Sequence, residues 1–170
     1  MDKTNLDDVE MLAYITGAAC HDYAHPGVNN DFLVQTRNQL AIRHNDQAVL
    51  ENHHIASSFA LMINEENNFM EDMEKDHYNN VRSTMIGAVL ATDMSKHFRE
   101  VPVFKSKLSQ PDFKANEGAE KKFVNNMLFH VADISNPTKP WHICKYWTDL
   151  LFVEFFTQGD MERELKMPIS

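Results

Sequence analysis

Apolar residues recur along this chain at helical intervals. Leu6, Val9, Leu12, Ile15 and Ala19 fall three or four positions apart and predict a first helix, with Thr4 to Asp7 reading as its capped start. Pro26 and Gly27 end it. The residue before a proline disfavours the α region, so the last helical turn is expected to hold His21 and Asp22. Val28 to Gln39 is less periodic and reads as a loop with a short helix. Asn45 or Asp46 is expected to cap a helix from Val49 to Met62. Another is expected from Tyr78 to Asp93, with Tyr78, Val81, Met85, Val89 and Thr92 on one side. Val101 to Glu120 carries Pro102, Pro111, Gly118 and many charges, and reads as a surface connection. Lys121 to Ala132 resumes helical spacing through Phe123, Met127 and His130, until the two prolines of Ile134 to Pro140 stop it. Trp141 to Gln158 reads as a long, aromatic-rich helix. No segment sustains period-two alternation, so the fold class expected is all-α.

Composition narrows the function. A chain of 170 residues, 43% hydrophobic and 24% charged, suits one domain with a buried core. Its five glycines and plentiful Met and Phe suit helices better than a turn-rich β fold. The formal net charge of -9 argues against a general affinity for nucleic acid or an anionic membrane. It leaves room for an anionic small molecule, because a bound cation reverses the local field. Cys20 and Cys144 make no disulfide framework, which implies a reducing compartment. Met1 to Asp8 has no apolar signal core, and no apolar run approaches the roughly 20 residues of a membrane span. A cytoplasmic location is the expectation.

Candidate chemistry gathers at helix ends. His21, Asp22 and Asp133 each fall in the last turn of a helix that a proline then terminates. An aspartate at a helix C-terminus is unfavourable by roughly 0.3–1 kcal/mol, a cost that a cation between two such residues offsets. Imidazole and carboxylate suit Zn, Mn and Mg. The alternative is an exposed aspartate beside a core histidine. Glu51 and His54 are three apart on one helix, and so either act together or form an ordinary polar face. His25 lies four beyond His21, and Cys20 reads as a small core residue. Trp147, Leu151 and Phe155 repeat every four positions, a stripe more typical of a core than of a nucleobase pocket. Glu154 interrupts that apolar stretch, a placement that needs no special role.

In combination these segments form ordered motifs. His21-Asp22-Tyr23-Ala24-His25-Pro26-Gly27 is followed by Val49-Leu50-Glu51-Asn52-His53-His54 and by Ala91-Thr92-Asp93-Met94-Ser95-Lys96-His97. His130-Val131-Ala132-Asp133-Ile134-Ser135-Asn136-Pro137 continues the series, and Phe155-Phe156-Thr157-Gln158-Gly159-Asp160 closes it. The series resembles the class I 3′,5′-cyclic nucleotide phosphodiesterases, metal-dependent phosphohydrolases of the His-Asp type, in both their calmodulin-regulated and cyclic-AMP-specific branches. The likeness covers nearly the whole chain. It implies that residues 1–170 are the central part of a single compact, multi-helix catalytic domain, truncated at both ends.

The resemblance also implies two divalent metal ions, zinc in the tighter site and magnesium or manganese in the other. His21, Asp22 and Asp133 would ligate the tight site, and Asp22 would bridge to the second ion. His25, Glu51, His54 and Thr92 would hold that ion's water shell. Asn136 would face the nucleotide, with Asp22 and Asp133 beneath the phosphate. Leu151 would wall the base slot, and Glu154 would orient a general acid. The implied reaction is hydrolysis of cyclic AMP or cyclic GMP to the 5′-monophosphate by a hydroxide that the two metals activate, in cyclic nucleotide signalling.

Departures from the family pattern temper that reading. No His-Asn-x-x-His-Ala motif, which supplies the general-acid histidine, precedes His21. The substrate glutamine expected beyond Gln158-Gly159-Asp160 is also missing before Ser170. The chain as given is therefore expected to be inactive. Ala24 replaces a common acidic residue, and His44 a common tyrosine. The alternative function is a catalytically inactive remnant that binds metal or a partner protein.

Overall fold

A computed structural model describes residues 6–170. The described residues form α1 (Asp8–Cys20), α2 (Asn30–Gln35), α3 (Gln39–Arg43), α4 (Val49–Met62), α5 (Lys75–Leu90), α6 (His97–Leu108), α7 (Gly118–Asp133) and α8 (Trp141–Glu164). Short 3-10 turns at 65–67, 94–96 and 136–138 connect them, and no strand occurs among the described residues. The all-α expectation is met.

Thr4 lies outside the described residues. The start of α1 is capped by Asp7, whose carboxylate accepts the Glu10 N–H at 2.7 Å while Glu10 accepts the Asp7 N–H at 3.0 Å. Its C-terminus falls two residues earlier than expected. Cys20 is the last helical residue, His21 the C-cap, and Asp22 lies in the turn beyond.

Helix α4 has the bounds expected of it, but not the cap. Asn45 and Asp46 take left-handed backbone conformations (φ 53° and 59°), as does Ala48 directly before the helix (φ 42°). Asx residues tolerate that region, so they shape the turn here and leave the helix uncapped locally. The demand is met from a distance: Asn30 Oδ1 accepts the Leu50 N–H at 2.8 Å.

The segment expected as a surface connection contains α6. The helix runs through Pro102, and Val101, Phe104 and Leu108 supply the three-and-four spacing that the prolines and charges obscured. Pro102 removes only the bond to the Phe98 carbonyl, near the helix start, where exposure is high. The surface part of the expectation stands, since no residue of α6 is buried.

The main core lies between α1, α4 and α5. Ala13, Ile55, Phe59, Val81, Met85 and Val89 close it, joined by Met62 and Met70. Helix α1 runs along α5, and α7 packs against both. Gly87 lies at that contact: a Cβ there would stand 3.2 Å from Lys122 Cε, so the lysine side chain would have to shift by a few tenths of an ångström. Val28, Leu33, Ala41, Val49 and Leu50 form a second, smaller cluster.

Helix α8 departs from the core reading of its aromatic stripe. Trp147, Leu151 and Phe155 are all exposed, because the first half of α8 packs mainly on the 136–138 turn. Its second half is anchored by buried Gln158, whose Oε1 accepts the Asn29 N–H at 2.8 Å. Among the described residues no helix is long and apolar enough to cross a membrane.

Candidate metal centre and adjoining cleft

The ends of α1 and α7 bring three ligand-type side chains together. One ligand atom each from His21, Asp22 and Asp133 lies within 4.8 Å of the others. His21 Nε2 stands 3.1 Å from Asp133 Oδ1 and 3.3 Å from Asp22 Oδ2. On the other side of the ring, His21 Nδ1–H donates to the Ala18 carbonyl at 2.8 Å. A histidine that spends its Nδ1–H on a backbone carbonyl presents Nε2 in a fixed direction, the arrangement of a ligating imidazole.

The charge balance points the same way. Hydrogen bonding to Asp133 and then to Asp22 pushes the His21 imidazole up to about 11, against burial, which lowers it. Asp22 is held below the usual carboxylate range, chiefly by its bond to His21. Two carboxylates thus hold one proton between them and the ring, and a divalent cation suits the same donor set better.

A second group sits behind Asp22. His54 is buried, and its Nδ1–H donates to the Tyr23 carbonyl at 2.8 Å. Its Nε2 then carries a lone pair, 3.7 Å from Asp22 Oδ1. That is too long for a hydrogen bond and joins two acceptors, so the gap favours a cation or a water between them. Burial lowers the His54 pKa and keeps the ring neutral at neutral pH. His25 stacks on His54 with ring centroids 5.4 Å apart, and its Nδ1 accepts the Gly27 N–H. Ala24, between His21 and His25 in sequence, is held in the left-handed region at φ 60°.

Glu51 and Thr92 are buried as well. The Asn30 amide donates to Glu51 Oε2 at 3.0 Å, while burial raises the carboxyl's pKa. Thr92 donates its hydroxyl proton to the Val89 carbonyl at 2.8 Å, which leaves its oxygen free to accept. The polar-face reading of Glu51 and His54 is therefore wrong for this fold, since the face they share is covered.

A cleft of about 730 Å³ opens over the first group. His21, Asp22, His25 and Asp133 line its floor, and Asn136, Leu151 and Glu154 line the side toward α8. Asn136 donates to Thr148 Oγ1 at 3.3 Å, and Glu154 makes no hydrogen bond or ion pair among the described residues. Glu51, His54 and Thr92 do not line the cleft.

Sequence reasoning missed four residues near this site. Asn30 joins Glu51 to the start of α4 across 20 positions, a link that leaves no local pattern. Asp93 is buried and accepts the Ser95 N–H at 2.9 Å; burial works to raise its pKa, and its bonds to Ser95 and Lys96 outweigh that. An aspartate two residues before a serine at a helix start was its readable mark. His97 and His130 meet at 2.8 Å, which no spacing rule foretells.

Residues 1–170 match the family described as 3′5′-cyclic nucleotide phosphodiesterase. A probable 3′,5′-cyclic phosphodiesterase of Caenorhabditis elegans is 42% identical over 98% of this chain and 24% of its own length. The dual specificity calcium/calmodulin-dependent 3′,5′-cyclic nucleotide phosphodiesterase 1B of Mus musculus is 46% identical over 97% of this chain and 30% of its own. The crystal structure of the phosphodiesterase domain of Salpingoeca rosetta rhodopsin phosphodiesterase superposes with a TM-score of 0.89 at 33% identity, over 95% of this chain and 50% of that one. The chain thus spans under a third of the length of these curated relatives and half of the solved domain.

Proposed function

The chain belongs to the 3′,5′-cyclic nucleotide phosphodiesterase family, and on that premise we propose that its cleft is the metal and nucleotide site of an enzyme that hydrolyses cyclic AMP or cyclic GMP to the 5′-monophosphate. Residues 1–170 are then the central part of one catalytic domain. The observation that carries this reading is the convergence of His21, Asp22 and Asp133 within 4.8 Å on the cleft floor. These three would hold the tighter ion, zinc, through one nitrogen and two carboxylates. Asp22 would also serve a second ion, magnesium or manganese, whose water shell His25, Glu51, His54 and Thr92 would hold. Such a pair of cations supplies Lewis acidity toward a phosphate and lowers the pKa of water.

The remaining roles belong to side chains of the cleft. Asn136 presents its amide toward the nucleotide. Leu151 packs against the base. The Glu154 carboxylate, which has no hydrogen-bond or ion-pair partner among the described residues, would orient a general-acid histidine that no motif of this sequence supplies. The Ala18 and Tyr23 carbonyls fix the orientation of His21 and His54 before any ligand arrives.

That free Glu154 also favours a second reading, in which this chain binds metal without turnover. One experiment separates the two. The purified chain is titrated with zinc by calorimetry and then assayed on both cyclic nucleotides with zinc plus manganese. Binding with hydrolysis supports the enzyme reading for the chain alone. Binding without hydrolysis supports the metal-binding remnant. No binding in wild type removes both.

A further inference from the structure

Helix α7 is pinned at several points along its length. Lys121 pairs with Glu10 at 2.6 Å, Lys122 donates to the Ser83 carbonyl, and Asn126 bonds both Tyr14 and the Gly87 carbonyl. All of these lie in its first three turns. In the final stretch, residues 127–133, only two side-chain hydrogen bonds reach another element among the described residues: His21 to Asp133, and His97 to His130. A cation held by both His21 and Asp133 takes the atoms of the first bond. The imidazole pair then remains as the polar tie of that turn.

The pair has a rigid base. His97 is the first residue of α6 and follows the 3-10 turn at 94–96, which begins just after Thr92. Asp93 accepts the Ser95 N–H, and Lys96 donates to the Leu90 carbonyl at 3.0 Å, so the turn is closed on itself. His97 Nδ1 meets His130 Nε2 at 2.8 Å, with ring centroids 5.1 Å apart. His130 stands one helical turn before Asp133.

The arrangement is costly for stability alone. His130 is 97% buried (3% exposed), and its Nδ1 has no hydrogen-bond partner. A buried orphan nitrogen loses solvation that an apolar side chain of similar volume never had. A residue kept for packing would have no reason to carry it.

We propose that the His97–His130 pair is a positioning device, which fixes the last turn of α7 and so places Asp133 against His21 and Asp22 for metal binding. The inference rests on the metal reading of the cleft. It makes His97 and His130 positioning residues, since neither lines the cleft over the metal group.

The test compares His130→Leu, His130→Gln and wild type in two measurements. Zinc titration of the chain is the first, and metal-free amide exchange at Ala132 to Ile134 is the second. His130→Leu removes the tie and the orphan nitrogen together. It should keep or raise the melting temperature yet bind zinc about tenfold more weakly, the lower end of what outer-shell partners contribute. Exchange at the last turn should quicken while Lys121 to Asn126 stay unchanged. His130→Gln, whose amide reaches about as far as Nε2, should restore most of both. If His130→Leu does not fold, His97→Ala opens the same tie from its half-buried side and takes its place in both measurements. Wild-type zinc affinity and wild-type exchange in the variant that breaks the tie overturn the proposal, as does a glutamine variant no better than leucine. If wild type itself binds no zinc, the metal reading fails, and the exchange measurement alone decides whether the pair holds the turn.

Discussion

Helices α5 and α8 are both long and both rich in apolar residues, yet they live in different surroundings. Val81, Met85, Ala88 and Val89 of α5 are completely buried, enclosed by α1, α4 and α7. Helix α8 exposes Trp141, Tyr146, Trp147, Leu150, Phe152 and Phe156, on every side of its axis. The proposed site straddles the two regimes. Glu51, His54 and Thr92 are set in or beside the packed core, which fixes their positions at a cost in desolvation. Leu151 and Glu154 stand on a helix whose first half has little to hold it. Apolar composition made both helices, and the presence of neighbours alone separates a fixed wall from a loose one.

The largest effect should come from the core. Met85→Ala should destabilise the chain by about 2–5 kcal/mol, because no neighbour can close the void. Leu150→Ala on α8 should stay within about 0.5 kcal/mol of neutral. Chemical denaturation measures both, and equal losses would erase the contrast between the two helices.

Metal binding should divide along the same line. Asp133→Ala should weaken zinc by about 100-fold or more, above what outer-shell groups contribute. Glu154→Ala, on the α8 side, should leave zinc affinity unchanged. Calorimetry on the two variants decides, and matched affinities would remove Asp133 from the ligand set.

The pH dependence sharpens the floor of the cleft. His21 is raised to about 11, so its contribution to the metal-free fold is full below its unfolded value of about 6.5 and is lost as pH rises through about 11. Asp22 is lowered, so its contribution holds above its unfolded value and is lost as pH falls through the folded one. Metal must displace the His21 proton. Zinc binding should therefore release one proton and strengthen by up to about tenfold from pH 7 to pH 8. Titration in buffers of different ionisation enthalpy counts the protons, and His21→Gln should abolish the release.

The smallest effect concerns Ala24. An L-residue held left-handed costs roughly 1–2 kcal/mol, part of which glycine's greater unfolded freedom cancels. Ala24→Gly should gain about 1 kcal/mol or less. A loss on thermal unfolding would show that the φ of 60° is not the strain it implies.

By itself the sequence determined the helices with strong spacing and the order of the motifs. Val49 to Met62 was legible to the residue, and α5, α7 and α8 were legible within a few positions at most ends. The all-α class and the phosphodiesterase family followed from the same residues. What failed locally was α6, where prolines and charges masked an apolar series, and the cap of α4, where Asn45 and Asp46 went to the turn. Only the tertiary structure decided which apolar stripes are covered, since the stripes of α5 and α8 look alike until their neighbours are placed. It also decided the long-range links: Asn30 with Glu51, His21 with Asp133, and His97 with His130, which lie 21, 112 and 33 positions apart. Periodicity reports what a residue does within its own turn of helix. A hydrogen bond between distant helices depends on where the chain returns, and no local pattern carries that information.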